Sequence, residues 1–175
     1  SGGQAGAENG AFTYPMDVAF APDGTLLIAD AGANLVRTWT AAAGLGTLKV
    51  AGALHTPHGV AAGPDGTVYV ADMNAHQVVA IDREGRLTRV AGMGEKGPAE
   101  GQLNKPAAVL VHARHLWIAD LDNHRVTVVP LDPPVPRRRL AVVWHSDRHR
   151  SPAARAFVEI AQAVSANVER DLGES

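Results

Sequence analysis

The sequence predicts a mainly β chain: a partial, three-bladed β-propeller of four-stranded antiparallel blades, followed by one C-terminal amphipathic helix. Three observations carry this expectation. A unit that opens at Pro15 returns at Pro57 and again at Pro106, and its Asp30, Asp72 and Asp120 stand 42 and 48 residues apart. Within the unit, short apolar runs alternate with turn residues four times over. Past residue 150 the spacing changes from strand-like to helical. A period of about 40 to 50 residues with four strands per unit is the sequence signature of a propeller.

The second unit shows the rhythm most clearly. Val60 to Ala62, Val68 to Ala71, Gln77 to Ile81 and Leu87 to Ala91 are the four runs. Pro64-Asp65-Gly66, Asp72 to Asn74 and Glu84-Gly85 separate them. The first unit matches from Pro15 to Asp30, with Pro22-Asp23-Gly24 as the turn. In the third, Pro106 to Val111 and Leu116 to Asp120 flank the shorter turn Ala113-Arg114-His115. Blades are expected at about 15–52, 57–92 and 106–129.

The connections differ. Only four residues join Gly52 to Pro57, whereas thirteen join Gly92 to Pro106. Residues 1–14 align with this longer connection, glycine for glycine, both ending at a blade-opening proline. An inter-blade loop with no blade before it suggests a chain that begins inside a larger array. The 93–102 stretch reads as a solvated connector, or alternatively as a contact loop at the propeller rim.

Beyond residue 129 the pattern breaks. Four prolines between Pro130 and Pro136 mark a stiff linker at 130–137, and 138–175 is expected to hold a strand plus the helix. Ser151 is a suitable N-cap with Pro152 at the first helical position, and Phe157, Ala161, Val164, Val168 and Leu172 line one face. Leu140 to Trp144 reads as the outer strand of the third blade, with the helix over an open face.

Composition bounds the function. With 46% hydrophobic residues, a net charge of −2 and no cysteine, the chain is globular, has no polyelectrolyte character and lacks disulfides or thiolate metal sites. No apolar run reaches membrane-span length. The glycines of 92–101 do not open a helix after a strand, so dinucleotide binding is not indicated, and no serine has a base at readable spacing.

Residues 3–130 resemble the NHL-repeat family of propellers. Ile118-Ala119-Asp120-Leu121-Asp122-Asn123-His124-Arg125-Val126 carries the family signature best, the second unit keeps Ala71-Asp72 and His76, and the first has Ala33-Asn34-Leu35. Separately, residues 138–164 resemble the C-terminus of LysR-type regulators, through Leu140 to His145 and Ser151 to Val158. If both resemblances hold, the chain joins two unrelated pieces. The NHL resemblance implies a ligand surface at one end of the blades, for which His58, His76, Asp72, Asp120, Asn123, His124 and Arg125 are the candidates. Pro57-His58-Gly59 with Ala75-His76-Gln77 is also similar to the peptidyl-hydroxyglycine lyase branch, where histidines of separate blades converge on zinc. Here Met16 and Ala107 hold the positions equivalent to His58, so no cofactor is expected; a divalent ion at His58, with His55 at i, i+3, is the alternative.

The three aspartates read structurally, as acceptors for turn amides. Arg137, Arg138, Arg139, Arg148 and Arg150 form a basic segment, for which nucleic-acid binding is the alternative to a solvated surface. The sequence reads as a noncatalytic propeller module that binds a protein or a small-molecule ligand. A metal-dependent lyase and a nucleic-acid-binding regulator are the alternatives, and no membrane partner is expected. Three blades leave two apolar faces open, to be capped by the helix, left open as a fragment, or closed by a homodimer into a six-bladed ring.

Overall fold

In a computed structural model of the chain, residues 11–131 and the backbone of Ala141–Val143 are described. They form three four-stranded antiparallel sheets. Blade 1 holds β1 (Pro15–Phe20), β2 (Leu26–Asp30), β3 (Leu35–Thr40) and β4 (Gly44–Thr47). Blade 2 holds β5 (Pro57–Ala62), β6 (Val68–Asp72), β7 (Gln77–Ile81) and β8 (Leu87–Ala91). Blade 3 holds β9 (Pro106–His112), β10 (His115–Asp120), β11 (Arg125–Pro130) and β12 (Ala141–Val143).

The turn residues do what their chemistry dictates. In Pro22-Asp23-Gly24, Gly24 N–H donates to the Ala21 carbonyl and the Asp23 carboxylate accepts from Thr25 N–H. Blade 2 repeats both bonds at Gly63, Asp65, Gly66 and Thr67. Blade 3 turns in two residues instead, and Ala113 and Arg114 both take positive φ, as a type I′ turn requires.

The alternation of the strands generates the packing between blades. Val68 and Val70 of β6 face blade 1, beside Leu27, Ala29 and Val36, whereas Tyr69 and Ala71 face blade 3, beside Leu116 and Ile118. Every residue of β6 is therefore buried, as expected for a strand covered on both faces. Leu54 and Leu103, each three residues before a blade-opening proline, plug the two seams.

The innermost strands β1, β5 and β9 stand side by side. A register shift falls at the second residue of each, so Met16, His58 and Ala107 are bulged. Just past the second bulge, a Cβ on Gly59 would lie 2.7 Å from the Ala108 Cα and 2.8 Å from the Ala107 carbonyl oxygen. Only glycine lets these two strands approach so closely.

Two boundaries differ from expectation. The outer strand of blade 1 is Gly44–Thr47, earlier than its counterpart Leu87–Ala91, and Leu48 and Val50 turn inward against the first seam instead. β11 runs to Pro130, which ends the ladder opposite His115 and so forfeits no interior hydrogen bond. Ala141–Val143 pairs with β11 as the outer strand of blade 3. The 132–140 stretch, the helix expected past Ser151 and the five candidate arginines Arg137, Arg138, Arg139, Arg148 and Arg150 lie outside the described residues.

Candidate functional site

A groove of about 280 Å³ runs over the innermost strands, lined by Asp17 to Phe20, Val60 to Ala62 and Val109 to Val111. Val60, Ala61 and Val109 turn their side chains into the seams, so these strands offer the groove mostly polar surface, and Asp17 is the one carboxylate on it. Asp17 accepts the N–H of Val60 at 2.9 Å across the gap between β1 and β5, and that of Val18 at 2.9 Å. Sequence reasoning passed over Asp17. The signal lay in the alignment of units, where Gly59 and Ala108 hold its place and leave it the one acid on these strands.

His58 sits at the bulge of β5, half-buried, with Nδ1 2.9 Å from the Ala107 carbonyl oxygen. A carbonyl can only accept, so Nδ1 donates in this bond. His55 turns elsewhere: its N–H donates to Asp72 at 2.5 Å and its Nδ1 lies 3.8 Å from the same carboxylate. No group of three or more His, Asp or Glu side chains placed to hold a metal occurs among the described residues.

The three repeated aspartates are fully buried and share one task. Each accepts amides of the loop that enters its own blade: Asp30 from Thr13 and Tyr14, Asp72 from His55, and Asp120 from Asn104. The partner is the incoming loop rather than the adjoining hairpin, so the carboxylate fastens the start of the first strand to the end of the second.

Asn34, His76 and His124 likewise share one conformation, with φ of 58°, 50° and 52°. Each closes a single 3₁₀ turn by donating its N–H three residues back. Asn and His tolerate this left-handed region better than most residues, which accounts for their recurrence here. Their side chains then reach forward. Asn34 Oδ1 accepts the N–H of Thr56 at 2.7 Å, and His76 Nδ1 accepts that of Lys105 at 3.2 Å. One residue of blade 1 and one of blade 2 thus clasp the residue before the opening proline of the blade that follows.

In blade 3 the remaining candidates hold the long connection. Arg125 donates to Asp120 at 2.8 Å and to the carbonyls of Pro98 and Gln102, and Asn123 donates to Gly97 and Asp120. With Leu103 buried as well, this connection is fastened at both its polar and apolar positions. Among the sequence candidates, Asp120, Asn123 and Arg125 come together around the long connection and Asp72 holds the short one, while His58 faces the inner strands.

Burial raises the carboxyl of Asp72 above its ordinary value of 3.8, and the His55 amide and Gln77 side chain partly offset this. As pH rises, the unfolded chain therefore loses this proton first. The contribution is present below the ordinary value and is lost as pH climbs through the folded one. Asp72→Asn removes it. Urea unfolding from about pH 3 to about pH 7 is expected to show the variant gaining on the native protein as pH rises; a pH-independent difference would refute the burial effect.

Residues 54–81 match the NHL repeat, and residues 108–166 match the LysR substrate binding domain. The described part of the latter span is the third sheet. No curated protein matches the chain by sequence. Among solved structures it is similar to virginiamycin B lyase from Staphylococcus aureus, at 16% identity and a TM-score of 0.58, covering 76% of this chain and 42% of that one. It is similar to a gluconolactonase from Xanthomonas campestris at 18% identity and a TM-score of 0.58, covering 73% and 47%. An auxiliary nutrient binding protein from Bacteroides ovatus aligns at 21% identity and a TM-score of 0.54, covering 65% and 36%. The chain thus spans less than half the length of each of these structures, and the likeness is one of fold.

Proposed function

We propose that this chain is a noncatalytic propeller-type module that binds a protein segment or a small-molecule ligand in the groove over β1, β5 and β9. The observation that supports this reading is the groove itself: three strand edges side by side around a single carboxylate that already accepts two amides. Such a surface suits recognition by shape and hydrogen bonding to exposed polar groups, with Asp17 to fix orientation. Apart from His124, the candidate residues of the repeat signature are occupied in fastening loops, whereas the groove is open to a ligand.

The test is chemical-shift mapping on the full-length chain with a library of small apolar amides and short extended peptides. Perturbations are expected to gather on residues 17–20, 60–62 and 109–111. Perturbations confined to other surfaces would overturn the groove. Turnover of a peptidyl-hydroxyglycine substrate that disappears in His58→Ala would overturn the noncatalytic reading.

A further inference from the structure

Asp17 stands where the other two units carry no acid, since Gly59 and Ala108 hold its place in blades 2 and 3. The spacing of the inner strands accounts for the difference. A Cβ on Gly59 would lie 3.1 Å from the Val109 nitrogen and 2.7 Å from the Ala108 Cα, so a side chain has no room between β5 and β9 at that level. Between β1 and β5 a whole carboxylate fits. One of its oxygens accepts the N–H of Val18 and the other that of Val60.

The strand edges add further acceptors. In an antiparallel ladder, alternate residues turn both their N–H and their C=O away from the paired strand. Val18 and Val60 are of this kind, because their N–H groups go to Asp17. Val109 holds the same place in its ladder: Val18 lies opposite Ile28, Val60 opposite Val70 and Val109 opposite Ile118. All three line the groove, so their carbonyls flank it. With two N–H donors taken up by Asp17, the side of the groove formed by β1 and β5 is rich in acceptors.

The charge there is uncompensated. No Lys, Arg or His lines the groove, and Asp17 makes no ion pair among the described residues. Two amides use one lone pair on each carboxylate oxygen and leave the others, with the negative charge, to a ligand. A carboxylate or phosphate would bring like charge and acceptors alone. A divalent metal ion takes about six to eight oxygens, commonly with several carboxylates among them; no group of three or more His, Asp or Glu is placed to hold one among the described residues. An ammonium brings one positive charge and donors only, which complements a single carboxylate beside strand carbonyls.

We infer that the groove takes an organic ammonium group seated on Asp17, an assignment of ligand class that rests on the groove being the binding surface proposed above. Two sources carry such a group: a small free amine and the lysine side chain of a protein segment.

The experiment is an NMR titration of the full-length protein at neutral pH and low salt with three probes of similar shape, pentylamine, pentanol and pentanoate. Pentylamine is expected to bind about tenfold more tightly than pentanol, with the largest shifts at the Val18 and Val60 amides, and pentanoate more weakly than either. Salt at about 0.5 M should remove most of the amine's advantage and leave pentanol nearly unchanged. Asp17→Asn keeps an oxygen for one of the two amides and is expected to bind amine and alcohol equally; the order of the three probes is read on the native protein and needs no variant. An end-blocked alanine peptide with one lysine separates the sources: tighter binding than pentylamine assigns the ammonium to a protein segment, weaker binding to a small molecule. Equal binding of pentylamine and pentanol in the groove would overturn the ammonium and leave the binding surface standing. Shifts from none of the probes, the peptide included, would overturn both.

Discussion

Asp120→Ala is expected to destabilise the protein by about 3–5 kcal/mol, because it strands a partly buried arginine. Asp120 has no exposed surface and accepts from Asn104 N–H at 2.6 Å, Asn123 Nδ2 at 2.8 Å and Arg125 Nε at 2.8 Å. Alanine removes all three acceptances at once. The Arg125 guanidinium, with 15% of its side chain exposed, would keep the carbonyls of Pro98 and Gln102 and lose its only counter-charge within contact among the described residues. Total stabilities of small domains are about 5–15 kcal/mol, so this one change takes a large share. Two comparisons isolate the cause. Asp120→Asn retains an oxygen for Asn104 and should cost less. Asp30→Ala removes an acceptor of two loop amides and should cost about 1–3 kcal/mol. Urea unfolding of the three variants is the measurement. Equal losses at Asp30 and Asp120 would show that the arginine contributes nothing.

The correlation between Arg125 and loop length follows from the same bonds. The thirteen-residue connection into blade 3 leaves backbone carbonyls near the strand end, and Arg125 reaches two of them. The four-residue connection into blade 2 has none to spare, and Gln77 stands at the equivalent place, bonded to Asp72 and to Arg89 instead. In blade 1 the place is Leu35. There Arg37, two residues on and almost fully buried, reaches back to the Ala11 carbonyl at 3.4 Å and across to Gly46. In this chain the residues Asp120, Asn123 and Arg125 thus act as a loop fastener, with the arginine spanning the long connection.

This is why the fold was more legible in the sequence than the site. Strand alternation and the Pro-Asp-Gly turns are local, so blades 1 to 3 could be laid out from Pro15, Pro57 and Pro106 alone. The clasps were not visible, because their acceptors, Asn34 Oδ1 and His76 Nδ1, meet backbone amides 22 and 29 residues away. A backbone amide has no residue type to recognise. The polar signature invited a ligand-binding reading for the same reason: its partners are carbonyls and amides that a sequence does not display. Asp17 was missed because an acid on a strand looks solvent-facing until β5 is placed beside β1. The early outer strand of blade 1 was missed because Gly44 and Gly46 carry no strand preference.

Gly92→Ala is expected to cost at least about 3 kcal/mol, and the comparison with Gly24→Ala shows why. Both glycines occupy the left-handed region, with φ of 78° and 84°. That conformation alone costs an alanine about 1–2 kcal/mol. A Cβ on Gly24 would meet nothing within 4 Å, so Gly24→Ala should show only this backbone cost. A Cβ on Gly92 would lie 2.3 Å from the carbonyl oxygen of His76 and 2.8 Å from the Cα of Gln77, both backbone atoms that cannot rotate away. Relief requires the start of β7 to move, and His76 carries the clasp to Lys105 at the entrance of blade 3. The strain should therefore spread to the second seam. Faster hydrogen exchange at the Lys105 amide in Gly92→Ala, and unchanged exchange there in Gly24→Ala, is the expected pattern. Equal destabilisation by the two variants would mean that the chain absorbs the clash locally, and that the clasp is not mechanically coupled to the end of blade 2.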